Sequence, residues 1–281
     1  MAMHEHLRFI FIFRSAEVMA IVLSITNQKG GVAKTTTALS LAHAFARKNA
    51  DRKVLLIDLD SQRNATSILL GNQEITPERS VYSLFQTKKP ESGVLYATKM
   101  PNLSIIPSNL HLVEVESQLS GALDGFFRLN DALQSLRHEF DIIILDCPPS
   151  LSVITINAMV SADFLLIPLQ ISKFSIDGIQ NIRDAVTTVN RRYNAHLKIA
   201  GGCLTLHDGR TTLSQAMIPE VEKILPMLKT TIPRSVAVEE AHLMRQDIHD
   251  YAPGNKVATA YAALADELEA VFAADRGGAP P

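Results

Sequence analysis

The sequence lacks the features that mark secreted, metal-storing or membrane-spanning chains. Cysteine occurs twice, as Cys147 and Cys203, with no Cys-x-x-Cys pair. That argues against a disulfide framework and suits a reducing cytoplasm. The 9 histidines are scattered, and none sits at ligand spacing beside a cysteine, so nothing points to a structural metal site. An excess of one charge is also missing: 27 Lys and Arg against 29 Asp and Glu leave a net charge of −2. No global basic field announces nucleic acid, and any such contact needs a local patch. The apolar run Phe9-Ile10-Phe11-Ile12-Phe13, between Arg8 and Arg14, is far too short to span a bilayer. It has the outline of a signal peptide, but it is short and a nucleotide-type turn follows at once. Met19-Ala20 reads as a natural start running into the first strand, so residues 1–18 are expected to be an extension or accessory arm.

What is present fits a soluble globular chain. Apolar residues make up 47% and charged residues 20%, enough for a sizeable core. A length of 281 residues suits one large α/β domain or two small ones, and no linker or internal repeat divides it. Ala20 to Thr26 is mostly apolar and leads into a Gly-rich turn, which predicts a buried parallel strand. Further strands are predicted at Val54 to Ile57, Leu103 to Ile106, Ile142 to Leu145, Phe164 to Ile167, within Leu197 to Leu206, and at Thr230 to Pro233. Helical spacing runs over Thr35 to Lys48, Asn64 to Leu70, residues 125–139, Ile176 to Arg192, Leu213 to Leu225 and Asn255 to Phe272. Pro219 predicts a break or a helix start. Residues 71–102 read as helix and loop excursions. Strands alternating with helices predict one doubly wound, mostly parallel sheet with helices on both faces. Ligands of such sheets bind at the carboxyl ends of the strands, where the Gly-rich turn, Asp58 and Asp146 all fall. One domain is expected over residues 19–273, with a disordered tail over 274–281.

The turn reads Lys29-Gly30-Gly31-Val32-Ala33-Lys34-Thr35-Thr36. It fails the ordinary phosphate-loop pattern Gly-x-x-x-x-Gly-Lys-[Ser/Thr], because Gln28 and Ala33 hold the glycine positions. It comes close to the deviant form Lys-Gly-Gly-x-Gly-Lys-[Ser/Thr], missing only the third glycine. Gly30 and Gly31 let the backbone turn tightly and point N–H groups at phosphate oxygens. The helix that follows aims its positive N-terminal end at the same place. Lys34 supplies a point charge to the β- and γ-phosphates, the Thr35 hydroxyl can ligate Mg²⁺, and Thr36 can bond an α-phosphate oxygen. ATP with Mg²⁺ is therefore the expected ligand. The methyl group of Ala33 predicts a right-handed or extended backbone there. In Asp58-Leu59-Asp60, alternate side chains share a face, so both carboxylates can point at the site. One is suited to hold Mg²⁺ through water, the other to orient or deprotonate the water attacking the γ-phosphate. Asp146 closes an apolar strand, as a metal-holding carboxylate should.

With these residues in hand, the chain resembles the ParA/Soj partition ATPases of the ParA/MinD superfamily, which are deviant phosphate-loop NTPases. The resemblance rests on Thr26 to Thr37, on Asp58-Leu59-Asp60-Ser61-Gln62-Arg63-Asn64-Ala65-Thr66 and on Asp146-Cys147-Pro148-Pro149-Ser150. Thr155 to Ala158, Asp208-Gly209-Arg210-Thr211 and Ile232-Pro233-Arg234 follow in the family's order. The resemblance implies that Lys29 crosses a dimer interface to touch the partner's nucleotide, so ATP drives a sandwich homodimer. It implies that Asp60 serves the hydrolytic water and that Asp58 and Asp146 hold Mg²⁺ through waters. It places Pro233 and Arg234 in the adenine-side loop, and makes Arg210 a contact for non-specific duplex DNA. Arg234 is a second DNA candidate, within a possible patch with Arg183, Arg191, Arg192 and Lys223. The implied protein is a slow, cytoplasmic, nucleoid-associated ATP hydrolase, stimulated by a ParB-like or other adaptor, that partitions or positions DNA or a large cargo.

The chain departs from the family at several points. Ala33 replaces a glycine, Ser61 and Arg63 replace a common proline and glycine, and Ala237 stands where many relatives carry an arginine. His242-Leu243-Met244-Arg245 replaces a Pro-Ser-His-Gly stretch. The alternative, a MinD-like membrane-cycling regulator, needs a basic amphipathic C-terminal helix. Asp266, Glu267 and Glu269 make that end acidic, so no stable membrane association is expected. An iron-protein-like carrier would hold a cluster by cysteine thiolates. Cys147 lies in a motif that needs none, and Cys203 lies in a predicted strand.

Overall fold

The most apolar runs of the sequence form the centre of one sheet. The structure, a computed structural model, describes residues 19–119, 121–171, 175–207 and 212–277. The extension 1–18 and Arg210 lie outside the described residues. The strands are β1 (Ile21–Ile25), β2 (Val54–Asp58), β3 (Tyr96–Ala97), β4 (Leu103–Ile106), β5 (Ile142–Asp146), β6 (Phe164–Leu169) and β7 (Lys198–Leu204). Their order is β3-β4-β2-β5-β1-β6-β7. Every pairing is parallel except the short edge pair β3–β4. β2 and β5 are buried along their whole length, which is why they read as unbroken apolar runs rather than alternating ones.

The helices are α1 (Lys34–Lys48), α2 (Asn64–Leu70), α3 (Val81–Thr87), α4 (Leu112–Leu119), α5 (Arg128–Glu139) and α6 (Val153–Ser161). They continue with α7 (Ser175–Arg192), α8 (Thr212–Glu222), α9 (Val236–Leu243), α10 (Ile248–Tyr251) and α11 (Lys256–Asp275). The sheet's two-residue period sends Leu23, Ile25, Leu56 and Ile144 into one core layer with α1 and α11. Val22, Leu55, Ile57, Ile143 and Leu145 enter the other, with α3 to α7. The doubly wound sheet predicted from the alternation is present. Tyr261 on α11 is fully buried against α1, its hydroxyl 3.1 Å from the Thr37 hydroxyl, so the last helix braces the first.

Some boundaries differ from the sequence reading. Thr230 to Pro233 forms no strand: Ile232 donates to Leu204 O at 2.7 Å, and a single bridge joins His207 to Pro233. Proline has no N–H with which to extend a ladder. Pro219 sits inside α8 instead of breaking or starting it. α11 continues through Asp275, beyond the expected end at Phe272 and into the stretch read as tail. An ion pair of Asp275 with Lys198 and a 3.0 Å bond from Arg276 to Met19 O hold this turn on the body.

Three strand ends meet in register. Ile25 lies opposite Asp146, and Asp58 lies opposite Asp146 on the other side. The Gly-rich turn leaving β1 therefore sits beside both aspartates because of sheet order, although they are far apart in sequence.

Candidate functional site

The loop after β1 is pinned at several points. Asn27 donates its side-chain amide to Pro168 O at 2.7 Å and accepts from Lys29 N at 2.9 Å. The Thr205 hydroxyl donates to Val32 O at 3.0 Å, and Thr37 N to Ala33 O at 2.9 Å. Between these anchors Gly31 takes φ 73° and Ala33 takes φ 61° and ψ 33°. Ala33 is thus left-handed, not right-handed or extended as its methyl group predicts. The anchored Val32 carbonyl on one side and the first turn of α1 on the other fix the chain's course, and Ala33 follows at a cost of about 1–2 kcal/mol. Gly30 has open space around it, with nothing within 4 Å of where a Cβ would be.

Lys34 opens α1 and is buried. Its ammonium donates to Lys29 O at 2.9 Å, folding back on its own loop. Burial holds its pKa below the ordinary lysine value, against the pull of Asp146 and Asp60. Lys29 is exposed at the rim. Beside it a cavity of about 260 Å³ is lined by Asn27, Gln28, Lys29, Val32, Leu169, Gln170 and Gly178.

The two strand-end aspartates are both fully buried yet differently served. Asp58 accepts from Thr66 N at 2.9 Å, the Thr66 hydroxyl at 2.7 Å and Asp60 N at 3.1 Å. Burial raises its pKa to about 6, against these bonds. Among the described residues, Asp146 receives no hydrogen bond of good geometry on either oxygen. Burial, and then the neighbouring charge of Asp58, push its pKa well up, while the nearby Thr35 hydroxyl and Lys34 favour its charged form. A buried carboxylate without partners is costly unless a cation or donor completes it. Asp60 stands just beyond, accepting from Gln62 N at 3.0 Å. The two carboxylates are thus held differently: Asp58 by Thr66 and Asp60 N, Asp60 by the N–H of Gln62. Thr66 and Thr205, which hold Asp58 and the loop, were given no role from the sequence, since a threonine's hydrogen bond across the fold leaves no pattern in spacing.

Residues 20–199 match the family model described as an AAA domain. The sporulation initiation inhibitor protein Soj of Bacillus subtilis is 37% identical over 254 residues, covering 90% of this chain and 99% of that protein. The chromosome partitioning protein ParA of Myxococcus xanthus is 35% identical over 249 residues, covering 88% of this chain and 87% of that protein. The chain belongs to the ParA/Soj family of partition ATPases. Among solved structures, cobyrinic acid a,c-diamide synthase of Mycobacterium smegmatis with bound ADP and magnesium superposes with a TM-score of 0.76. It is 32% identical, covering 93% of this chain and 98% of that one.

This ParA/Soj ATPase is an ATP hydrolase, and its expected ATP-site residues converge at the carboxyl ends of β1, β2 and β5. Pro233 and Arg234 lie at the carboxyl end of β7, just after Ile232, which is bonded to Leu204; Pro233 is half-buried and Arg234 exposed. Arg183, Arg191 and Arg192 are exposed on α7. Lys223, beyond α8, pairs with Glu220 at 2.7 Å. Both cysteines are buried, and burial pushes their thiols up, Cys147 to about 11 and Cys203 to about 12, which disfavours the thiolates a cluster needs.

Proposed function

We propose that this ATPase binds Mg²⁺-ATP in the loop Lys29 to Thr36, forms a homodimer when ATP is bound, and holds duplex DNA without reading its sequence. The cycle positions DNA or a large cargo over the nucleoid, in the cytoplasm, and ends when a ParB-like or other adaptor stimulates slow hydrolysis. The observation that carries the Mg²⁺-ATP part of this reading is Asp146: a fully buried carboxylate that receives no hydrogen bond of good geometry on either oxygen among the described residues, with the Thr35 hydroxyl and Lys34 near enough to favour its charged form. That donor set fits Mg²⁺, which prefers oxygen ligands and keeps several waters. Thr35, Asp146 and Asp58 hold the ion, which when bound neutralises charge on the phosphates. The backbone N–H groups at Gly30 to Lys34 and the Lys34 ammonium bind phosphate oxygens. Asp60, at the mouth of the site, orients the attacking water. Lys29 reaches the nucleotide of the second copy, and Pro233 and Arg234 flank the adenine.

DNA binding rests on Arg210 and Arg234, with phosphate contacts and steep salt dependence. Membrane cycling by the last helix is disfavoured. Glu269 of α11 is paired with Lys48 and Arg52, and Phe272 packs against Phe45 and Phe164. Among the described residues no helix is long and apolar enough to cross a membrane. The test is a pair of variants. Lys34→Ala should abolish nucleotide binding, read by fluorescent-nucleotide titration. Asp60→Ala should bind ATP like the wild type and not hydrolyse it. Rapid turnover by Asp60→Ala would remove the water-orienting role.

A further inference from the structure

Helix α9 presents a face that the ATP site does not use. Val236, Glu239, Glu240 and Leu243 stand at i, i+3, i+4 and i+7, which is one side of the helix. Val236 is 68% and Leu243 83% accessible, and Met244, which caps the helix, is 64% accessible. Glu239 and Glu240 are exposed between them, and Tyr251 borders the stripe, its hydroxyl donating to Glu240 at 3.3 Å. The opposite side is occupied: Ala241 is buried, and Ala237 and Val238 pack on the core layer of α1 and α11. The stripe is therefore apolar at its ends and acidic in its middle. Leu243 and Met244 form an exposed apolar pair at one end of this stripe, a feature of interaction surfaces when polar groups rim it, as Glu239 and Glu240 do here. The two carboxylates repel a phosphate backbone and attract a cationic partner.

The same helix is joined to the catalytic carboxylates. Arg245, just past α9, takes φ 55°. Its guanidinium donates to Asn72 Oδ1 at 2.7 Å. It also lies over Gly71, so closely that a Cβ there would come within 2.7 Å of it. Gly71 closes α2. Thr66 of α2 donates twice to Asp58, and Arg63, at the helix start, donates its N–H to Asp60 O at 2.9 Å. One short helix thus touches Arg245 at one end and both aspartates at the other, a contiguous chain of contacts through which coupling can run.

We propose that the exposed face of α9 docks a basic amphipathic helix of a partner protein, and that Arg245 transmits the contact through α2 to Asp58 and Asp60 and raises ATP turnover. This rests on the partner-stimulated ATPase reading above and assigns it a surface. Helix-on-helix recognition through anchors at this spacing is an established binding mode. Leu and Met side chains of the partner cover Val236, Leu243 and Met244, while its Lys or Arg side chains meet Glu239 and Glu240.

The probe is a synthetic helix of about 18 residues, five turns long, with leucines on one face and lysines on the other. A control peptide has glutamates in place of the lysines. Binding to the full-length protein with Mg²⁺-ATP is read by fluorescence anisotropy and turnover by phosphate release, both at low salt. The lysine peptide is expected to bind and to raise turnover; the glutamate peptide is expected to do neither. Leu243→Ser with Met244→Ser, and separately Glu239→Lys with Glu240→Lys, should each weaken binding by about tenfold or more. Arg245→Ala should still bind the peptide and lose the stimulation. Equal binding by wild type and the charge-reversed protein, or by both peptides, overturns the surface while ATP turnover by the unliganded protein leaves the ATPase reading standing. Stimulation that survives Arg245→Ala overturns the transmission route. Peptide binding by a protein that never hydrolyses ATP overturns the ATPase reading and leaves the surface in place.

Discussion

Replacing Ala33 by glycine probes the backbone on which the phosphate loop depends. Ala33 holds φ 61° and ψ 33°. A residue with a Cβ gives up about 1–2 kcal/mol in that conformation. Glycine removes the cost but gives the unfolded chain more freedom, worth about 0.4–1 kcal/mol in the other direction. The difference leaves Ala33→Gly more stable by about 0.5–1 kcal/mol. For a domain of this size, 1 kcal/mol moves Tm by about 2–4 °C, so the expected rise is roughly 1–4 °C. Ala33→Val is the mirror experiment, since a β-branched side chain is still less tolerant of positive φ. The assay is urea unfolding of the nucleotide-free protein, in which midpoints should rank Gly above Ala above Val with an unchanged slope. A glycine variant that unfolds earlier than wild type would refute the left-handed assignment of Ala33.

Three further predictions concern the carboxylates. Asp58 has a folded pKa of about 6 against about 3.9 unfolded, so the folded state keeps a proton that the unfolded chain loses. Its contribution is greatest below about pH 4 and falls by about 3 kcal/mol as pH rises through 6 in the nucleotide-free protein; Asp58→Asn should flatten that slope in denaturant midpoints between pH 5 and 7.5. Because Mg²⁺ competes with the same proton, Mg²⁺ affinity should fall as pH drops through 6, read by calorimetry. Thr66→Val removes the 2.7 Å hydroxyl bond to Asp58. It should cost about 1–3 kcal/mol, and it should move the acid limb of Mg²⁺-dependent turnover to higher pH, while a mutation that merely loosened the fold would leave the limb where it is.

The central strands, the sheet's winding and the long helices were legible in the sequence, because buried parallel strands are unbroken apolar runs and amphipathic helices have a period. Among the shorter elements α2 and β4 were legible too, but several others were not. α3, α4, α9 and α10 span at most two turns or so, too short for a periodic signal, and form because tertiary contacts hold them. The loop's charged groups were legible through the spacing of Lys29, Lys34 and Thr35. Its backbone was not, since the anchors come from Thr205, on the carbonyl of Val32, and from Thr37 of α1, on the carbonyl of Ala33. The roles of Asp58 and Asp146 also looked alike in sequence, as two aspartates ending apolar strands. The fold separates them: Thr66 satisfies one, and the other has no hydrogen bond of good geometry among the described residues. Arg245 was legible only as a departure from the family pattern, and its contact with Gly71 and Asn72 belongs to the fold alone.

The most direct test of the switch is sedimentation velocity of Asp60→Ala with Mg²⁺ and either ATP or ADP, beside the same protein carrying Lys29→Ala. The account predicts a dimer with ATP, a monomer with ADP, and a monomer with ATP in the double variant even though that variant still binds the nucleotide. An ATP-bound dimer that survives the loss of Lys29, or a chain that stays monomeric with ATP bound, would contradict it.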